Sequence, residues 1–236
     1  TQNNRSLRLS ELFSPKTNLT FKEFEEIKYD MYYSKQSVVA KYVEAIIHAI
    51  DEEDSVLQTS KAILKKWNLS THPENTEASL GMLTLTPFLK WTYQKIDEPL
   101  LIEYVRTASK QLMGTYKTLT PPYGKVHRLI RGKQDLEIGG GPDILHAVYA
   151  TNYAPGKMRG FSGDGLVYLV KWDSTGKVYS QSIHQYGSAT SRPDSPHYSD
   201  QSALFARREM KPVWRTKTEI LQNLESSYKP GEEIKN

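Results

Sequence analysis

The period of the apolar residues changes once along this chain, and that change limits the folds open to it. In the first half, apolar side chains recur every three or four positions, the repeat of amphipathic helices. In the second half they alternate or cluster in short runs between Gly, Pro, Asp and Ser, the punctuation of strands. Helices followed by strands, without regular alternation, predict an α+β protein. The expected division is a helical region over 1–115 and a strand-rich region over 116–236.

Within the helical region, Thr20-Phe21-Lys22-Glu23 has the form of a capping box, with Phe24, Ile27 and Met31 on the face that follows. Val39, Val43, Ile46 and Ile50 mark a second stripe. Asp54 is placed to cap a third helix that buries Val56, Ile63 and Trp67. Asn75 or Thr76 opens a fourth helix, which Pro87 ends. Asp97-Glu98-Pro99 opens a fifth, with Leu101, Val105, Ala108 and Leu112 on one side. These stripes need partners, some of them expected outside this chain. Arg5 and Arg8 read as two exposed charges ahead of the helices.

Thr120-Pro121-Pro122-Tyr123-Gly124 forms a rigid turn or linker into the second region. One or two short strands are expected between Val126 and Ile138. Leu166 to Trp172 is nearly all apolar and predicts a strand buried on both faces. Asp173-Ser174-Thr175-Gly176 turns it, and Val178 to Ile183 returns as its hairpin mate. A short helix through Leu204 and Phe205, capped by Ser199 or Asp200, and a last helix over 216–224 complete the prediction.

The 31 basic residues are dispersed and the net charge is +4, so no nucleic-acid or membrane-binding patch is expected. With no cysteine, thiolate chemistry and disulfides are excluded. Gly139-Gly140-Gly141-Pro142-Asp143 lacks the Lys of a phosphate loop, and Pro142 removes one donor amide, so it reads as a tight turn. The loop over 184–206 gathers His184, Arg192, Asp194, Ser195, His197, Asp200 and Gln201. His197 and Asp200 lack a third strong ligand, so no metal site is expected there. Ser195 has no nucleophile elbow. Thr1 is the remaining conceivable nucleophile, with its own α-amine as base, and reads better as a plain chain start.

Several segments together resemble a known family. They are Asn4-Arg5-Ser6-Leu7-Arg8, Tyr29-Asp30, Leu64 to Trp67, Gly140-Gly141-Pro142-Asp143, Gly163-Asp164 and Tyr186-Gly187-Ser188-Ala189. The most specific is Ser195-Pro196-His197-Tyr198-Ser199-Asp200-Gln201, followed by Ser202 to Ala206. The pattern is similar to the C-terminal part of the β subunit of the penicillin acylase family, whose members are N-terminal-nucleophile hydrolases. The resemblance implies a place in a four-layer αββα sandwich and hydrolysis of an amide in an acylated small molecule, such as a β-lactam or an acyl-homoserine lactone. It implies that the nucleophile, the oxyanion Asn and a calcium site lie upstream, so that this chain alone is inactive and holds no cofactor. Arg5 matches the supporting active-site arginine, and His197, Asp200 and Gln201 take structural roles. The implied partners are the α subunit and the N-terminal part of the β subunit, in the periplasm or outside the cell. Without them the isolated chain is expected to self-associate. The contrasting expectation is a non-catalytic α+β module that binds a partner through the 184–206 loop.

Overall fold

The computed structural model describes residues 2–50, 53–89 and 97–229. Its helices are α1 (Asn4–Phe13), α2 (Phe21–Lys28), α3 (Val38–Ala49), α4 (Ser55–Lys66), α5 (Glu77–Leu85), α6 (Glu98–Tyr116), a single turn α7 (Tyr123–Val126), α8 (Ser202–Arg207) and α9 (Lys217–Gln222). Strands β1 (His127–Arg131), β2 (Gln134–Glu137), β3 (Val148–Ala154) and β4 (Lys157–Gly163) form one sheet in the order β2-β1-β4-β3. Strands β5 (Leu166–Trp172), β6 (Val178–His184) and β7 (Lys211–Pro212) form a second, in the order β5-β6-β7. The protein is α+β.

The caps act as the sequence predicts. The Thr20 hydroxyl accepts from the Glu23 amide, and the Glu23 carboxylate takes the Thr20 N–H in return. Asp54 accepts from the amides of Val56 and Leu57. The Asn75 side chain accepts from Ala78, and Asp97 accepts from Leu100. Each cap satisfies a donor that the first helical turn leaves without an intrahelical partner.

The helices α3 to α6 bury their stripes against one another rather than awaiting partners from outside. Leu101, Val105, Ala108 and Leu112 of α6 are all buried, as are Val39, Val43 and Ile46 of α3. α5 is buried on every side, Ala78 through Leu85, and is the axle of this core. Gly81 sits at its tightest point. A β-carbon there would lie 2.5 Å from the ring of Trp67, whose indole N–H is fixed to the Ser70 carbonyl at 2.8 Å. A smaller core joins the two sheets through Leu129, Val148, Val167 and Ile183, with Phe205 of α8 among them.

Four expectations need correction. Arg5 and Arg8 do not lie ahead of the helices but within one, α1. Phe24 and Val56 are exposed, since their helices turn Ile27 and Leu57 inward instead. β5 is buried on one face only: Val167 and Leu169 point inward, while Leu166, Tyr168 and Trp172 stand at 56%, 51% and 65% exposure. Its seven residues pair with β6 alone, so it is an edge strand and not the interior strand its composition suggests. The hairpin β3–β4 was not anticipated. Its outer positions carry Tyr153, Arg159 and Phe161, so no clean alternation of apolar and polar residues announces it.

Replacing Gly81 by Ala tests the α5 axle. Helix propensity alone would favour Ala by about 1 kcal/mol. The pinned, buried Trp67 ring cannot yield, so overpacking of about 1–3 kcal/mol should prevail. Chemical denaturation should show a net loss of stability in Gly81→Ala. A gain would mean that the ring moves freely.

Candidate functional site

The triple glycine is where the backbone crosses itself. Segment 31–33 pairs with 69–71 through Tyr33 N–H to the Leu69 carbonyl (3.0 Å) and Thr71 N–H to the Met31 carbonyl (2.8 Å). Gly140 donates to the Thr71 carbonyl at 3.1 Å, which lays the glycine turn across that pair. A β-carbon on Gly139 would collide with Met31 and the Thr71 carbonyl, and Gly140 has φ +87°. Glycine is therefore required for close approach and for the left-handed bend. The turn ends at Asp143, itself left-handed at φ +57°, a conformation that Asp tolerates better than most residues.

Asp143 receives the start of α1. The Asn4 amide donates to Asp143 Oδ2 at 2.8 Å, and Arg5 Nε meets Oδ1 at 3.3 Å. The Asn4 side chain, 2% exposed, donates to the Asp143 carbonyl (2.9 Å) and accepts the Ser34 N–H (2.8 Å). Arg5 also donates to the Tyr149 hydroxyl at 3.3 Å and stays 44% exposed. One turn along, Arg8 grips Asp30 with two hydrogen bonds of 3.0 and 2.7 Å and reaches Glu11 at 2.6 Å. Hydrogen bonding to Asp30, opposed by burial, raises the pKa of Arg8 and fixes its charge. Neither arginine is the isolated surface charge that the sequence suggests. Arg5 is held on one side by a carboxylate while its guanidinium remains partly open to solvent.

Nearby, Lys28 Nζ and His146 Nδ1 share Asp164 Oδ2, at 2.5 and 3.3 Å. Burial lowers the pKa of His146, with Asp164 acting in the opposite sense. His127 is fully buried against Tyr123, and neither ring nitrogen has a hydrogen-bond partner. Burial pushes its pKa down to about 3.

The 184–206 loop lies elsewhere and contributes no side chain to the α1 cluster among the described residues. His197 and Asp200 pair with each other at 2.9 Å on the surface, at 58% and 38% exposure. Gln201 is buried; its Oε1 accepts the His184 N–H at 3.1 Å, and its own N–H donates to the Tyr186 carbonyl at 2.8 Å. Gln201, not Ser199 or Asp200, is the N-cap of α8. Ser195 accepts the His197 N–H, a turn contact. Arg131 clamps the loop between the rings of Tyr186 and Tyr198, 4.7 and 4.2 Å from their centroids, and donates to the Thr190 carbonyl. Thr1 lies outside the described residues. Among those residues no three His, Asp or Glu side chains converge as a metal site.

Fold and site together define an α+β protein whose helix α1 holds a partly exposed guanidinium against Asp143. Residues 1–222 match the family model described as penicillin amidase, and the chain belongs to that family. Among solved structures it is similar to the thermostable penicillin G acylase from Alcaligenes faecalis, with 14% identity and a TM-score of 0.46, over 100% of this chain and 53% of that one. The chain thus spans about half the length of that acylase. No curated protein sequence matches it.

Two predictions follow from the geometry. Asp143→Ala strands the buried Asn4 amide and should cost about 2–3 kcal/mol in chemical denaturation; Asp143→Asn, which keeps an acceptor and tolerates the left-handed backbone, should cost less. Unfolded His127 takes up a proton as pH falls through its ordinary value of 6.5, whereas folded His127 resists until about 3. Between those values the unfolded state binds more protons, so stability should fall with falling pH. A His127→Leu variant should lose part of that slope in melting curves taken at pH 7, 5.5 and 4.5. An unchanged slope would exclude His127 as a source.

Proposed function

We propose that this chain is the C-terminal part of the β subunit of an N-terminal-nucleophile amidohydrolase that cleaves the amide bond of an acylated small molecule, such as a β-lactam or an acyl-homoserine lactone. The nucleophile hydroxyl adds to the amide carbonyl and yields its proton to its own α-amine. The departing amine collects that proton, and water then releases the acyl group from the resulting ester. Nucleophile and oxyanion Asn come from the preceding segment of the same precursor, as does the family's calcium site. The α subunit and that segment are the partners, in a periplasmic or secreted enzyme with an αββα core.

The observation that carries this reading is Arg5. Its guanidinium is fixed by Asp143 and Tyr149 yet 44% exposed, as befits a cation that orients a neighbouring amide through charge-assisted hydrogen bonds. Family membership over residues 1–222 supports it. So does β5, an open edge bearing exposed Leu166, Tyr168 and Trp172, which suits continuation of the sheet by another segment.

The isolated chain should show no amide hydrolysis and should self-associate in light scattering. Combined with the complementary segment it should become monodisperse and active. In that assembly Arg5→Gln should lower kcat by roughly ten- to a hundredfold with little change in KM, and Arg5→Lys should recover part of the loss. Amidase activity in the isolated chain that disappears in Thr1→Ala would overturn the assignment.

A further inference from the structure

The edges left free by β3 and β5 differ in kind. β3 pairs with β4 through register irregularities at Tyr149/Ala150 and Asn152/Ala154, which blunt its outer edge. β5 pairs with β6 residue for residue from Leu166 to Trp172. It has no bulge, glycine or proline, and its one charge is Lys171. The devices that normally keep an edge from recruiting another strand are nearly absent from it.

The hydrogen bonds at the two ends of the β5–β6 ladder fix which residues face that edge. Gln185 N–H donates to the Gly165 carbonyl at 3.2 Å, and Asp173 N–H to the Lys177 carbonyl at 3.0 Å. In an antiparallel pair, residues that exchange bonds alternate with residues that do not. Between those ends, Val167, Leu169 and Lys171 therefore direct their backbone groups to β6. Leu166, Tyr168, Val170 and Trp172 turn theirs outward, to the open edge. The side chains of these four also share one face of the strand, the face on which Leu166, Tyr168 and Trp172 are exposed.

We propose that two copies of this chain join their β5 strands edge to edge, antiparallel about a two-fold axis through Leu169, so that their sheets become one. Leu166 then meets Trp172 of the second copy and Tyr168 meets Val170, and all four outward residues exchange backbone hydrogen bonds. Both of these pairs are apolar, which favours the contact. Leu169 meets its own counterpart on the axis and Val167 meets Lys171, so no like charges stand opposite each other. An axis between two residues would set outward backbone groups against inward ones. An axis at Tyr168 or Val170 would leave one outward residue without a counterpart in the strand. The contact uses the same patch on both copies and closes at two. It rests on the β5 edge and not on the amidohydrolase reading; the segment proposed above to continue this sheet would compete for the same edge.

The test is sedimentation of the full 236-residue chain over a range of concentrations, which should show a discrete monomer–dimer equilibrium. A variant carrying both Tyr168→Lys and Val170→Lys sets lysine opposite lysine across the axis and should raise the dimer dissociation constant about tenfold or more. Tyr168→Glu with Val170→Glu should do the same, and an equimolar mixture of the two variants should dimerise again. Val170→Pro removes an outward N–H and none that β6 uses, a change edge strands tolerate, and it too should weaken the dimer. Far-ultraviolet circular dichroism of each variant checks that it is folded, and the charge pairs carry the test if the proline variant is not. A chain that stays monomeric, association that ignores the charge variants, or a mixture that fails to restore the dimer would each overturn the pairing. Association by another surface would leave the proposed hydrolase standing, and a reassembled enzyme without activity would leave the β5 pairing standing.

Discussion

The Asp143 carboxylate is the joint on which the rest of the structure turns. It accepts the Asn4 amide, meets the Arg5 guanidinium, and sits at the end of a glycine turn laid over the crossing of segments 31–33 and 69–71. Desolvating a carboxylate is costly, and it is tolerated here because charged and backbone donors converge on it. The left-handed backbone at Asp143 adds strain, which the same hydrogen bonds offset. Without this joint, α1 would have little to hold it, since its only buried residue is Asn4.

Much of the fold was legible because local signals and final packing agree. The stripe Leu101, Val105, Ala108, Leu112 is buried as written, and the Thr20–Glu23 box closes as its spacing demands. The turn over 173–176 carries the hairpin of β5 and β6 in full register. α1 escaped notice for a physical reason. It is fixed by polar contacts to Asp30, Ser34 and Asp143, and no apolar stripe advertises those, while its Leu9 remains exposed. β5 misled for the complementary reason: an apolar run reads as buried, but burial also depends on which strands lie beside it.

The candidate site was legible only in part. Arg5 and the glycine turn were each singled out, but nothing in the sequence joins positions 138 residues apart. Asn4, Asp30 and Asp143 carry no local pattern that marks them as partners. Gln201, buried and bracketing His184, lies beside the exposed pair His197 and Asp200. The sequence places all three in one polar loop, and only the packing of α8 separates the bracket from the surface pair.

The distance along the chain between Asn4 and Asp143 has a consequence for synthesis. Helix α1 cannot be seated as it leaves the ribosome until the glycine turn has followed it, because its main anchor lies 139 residues later. The α3–α6 core draws chiefly on residues made earlier and can condense before that point. Vectorial folding would therefore seat α1 only after the core that follows it along the chain has formed.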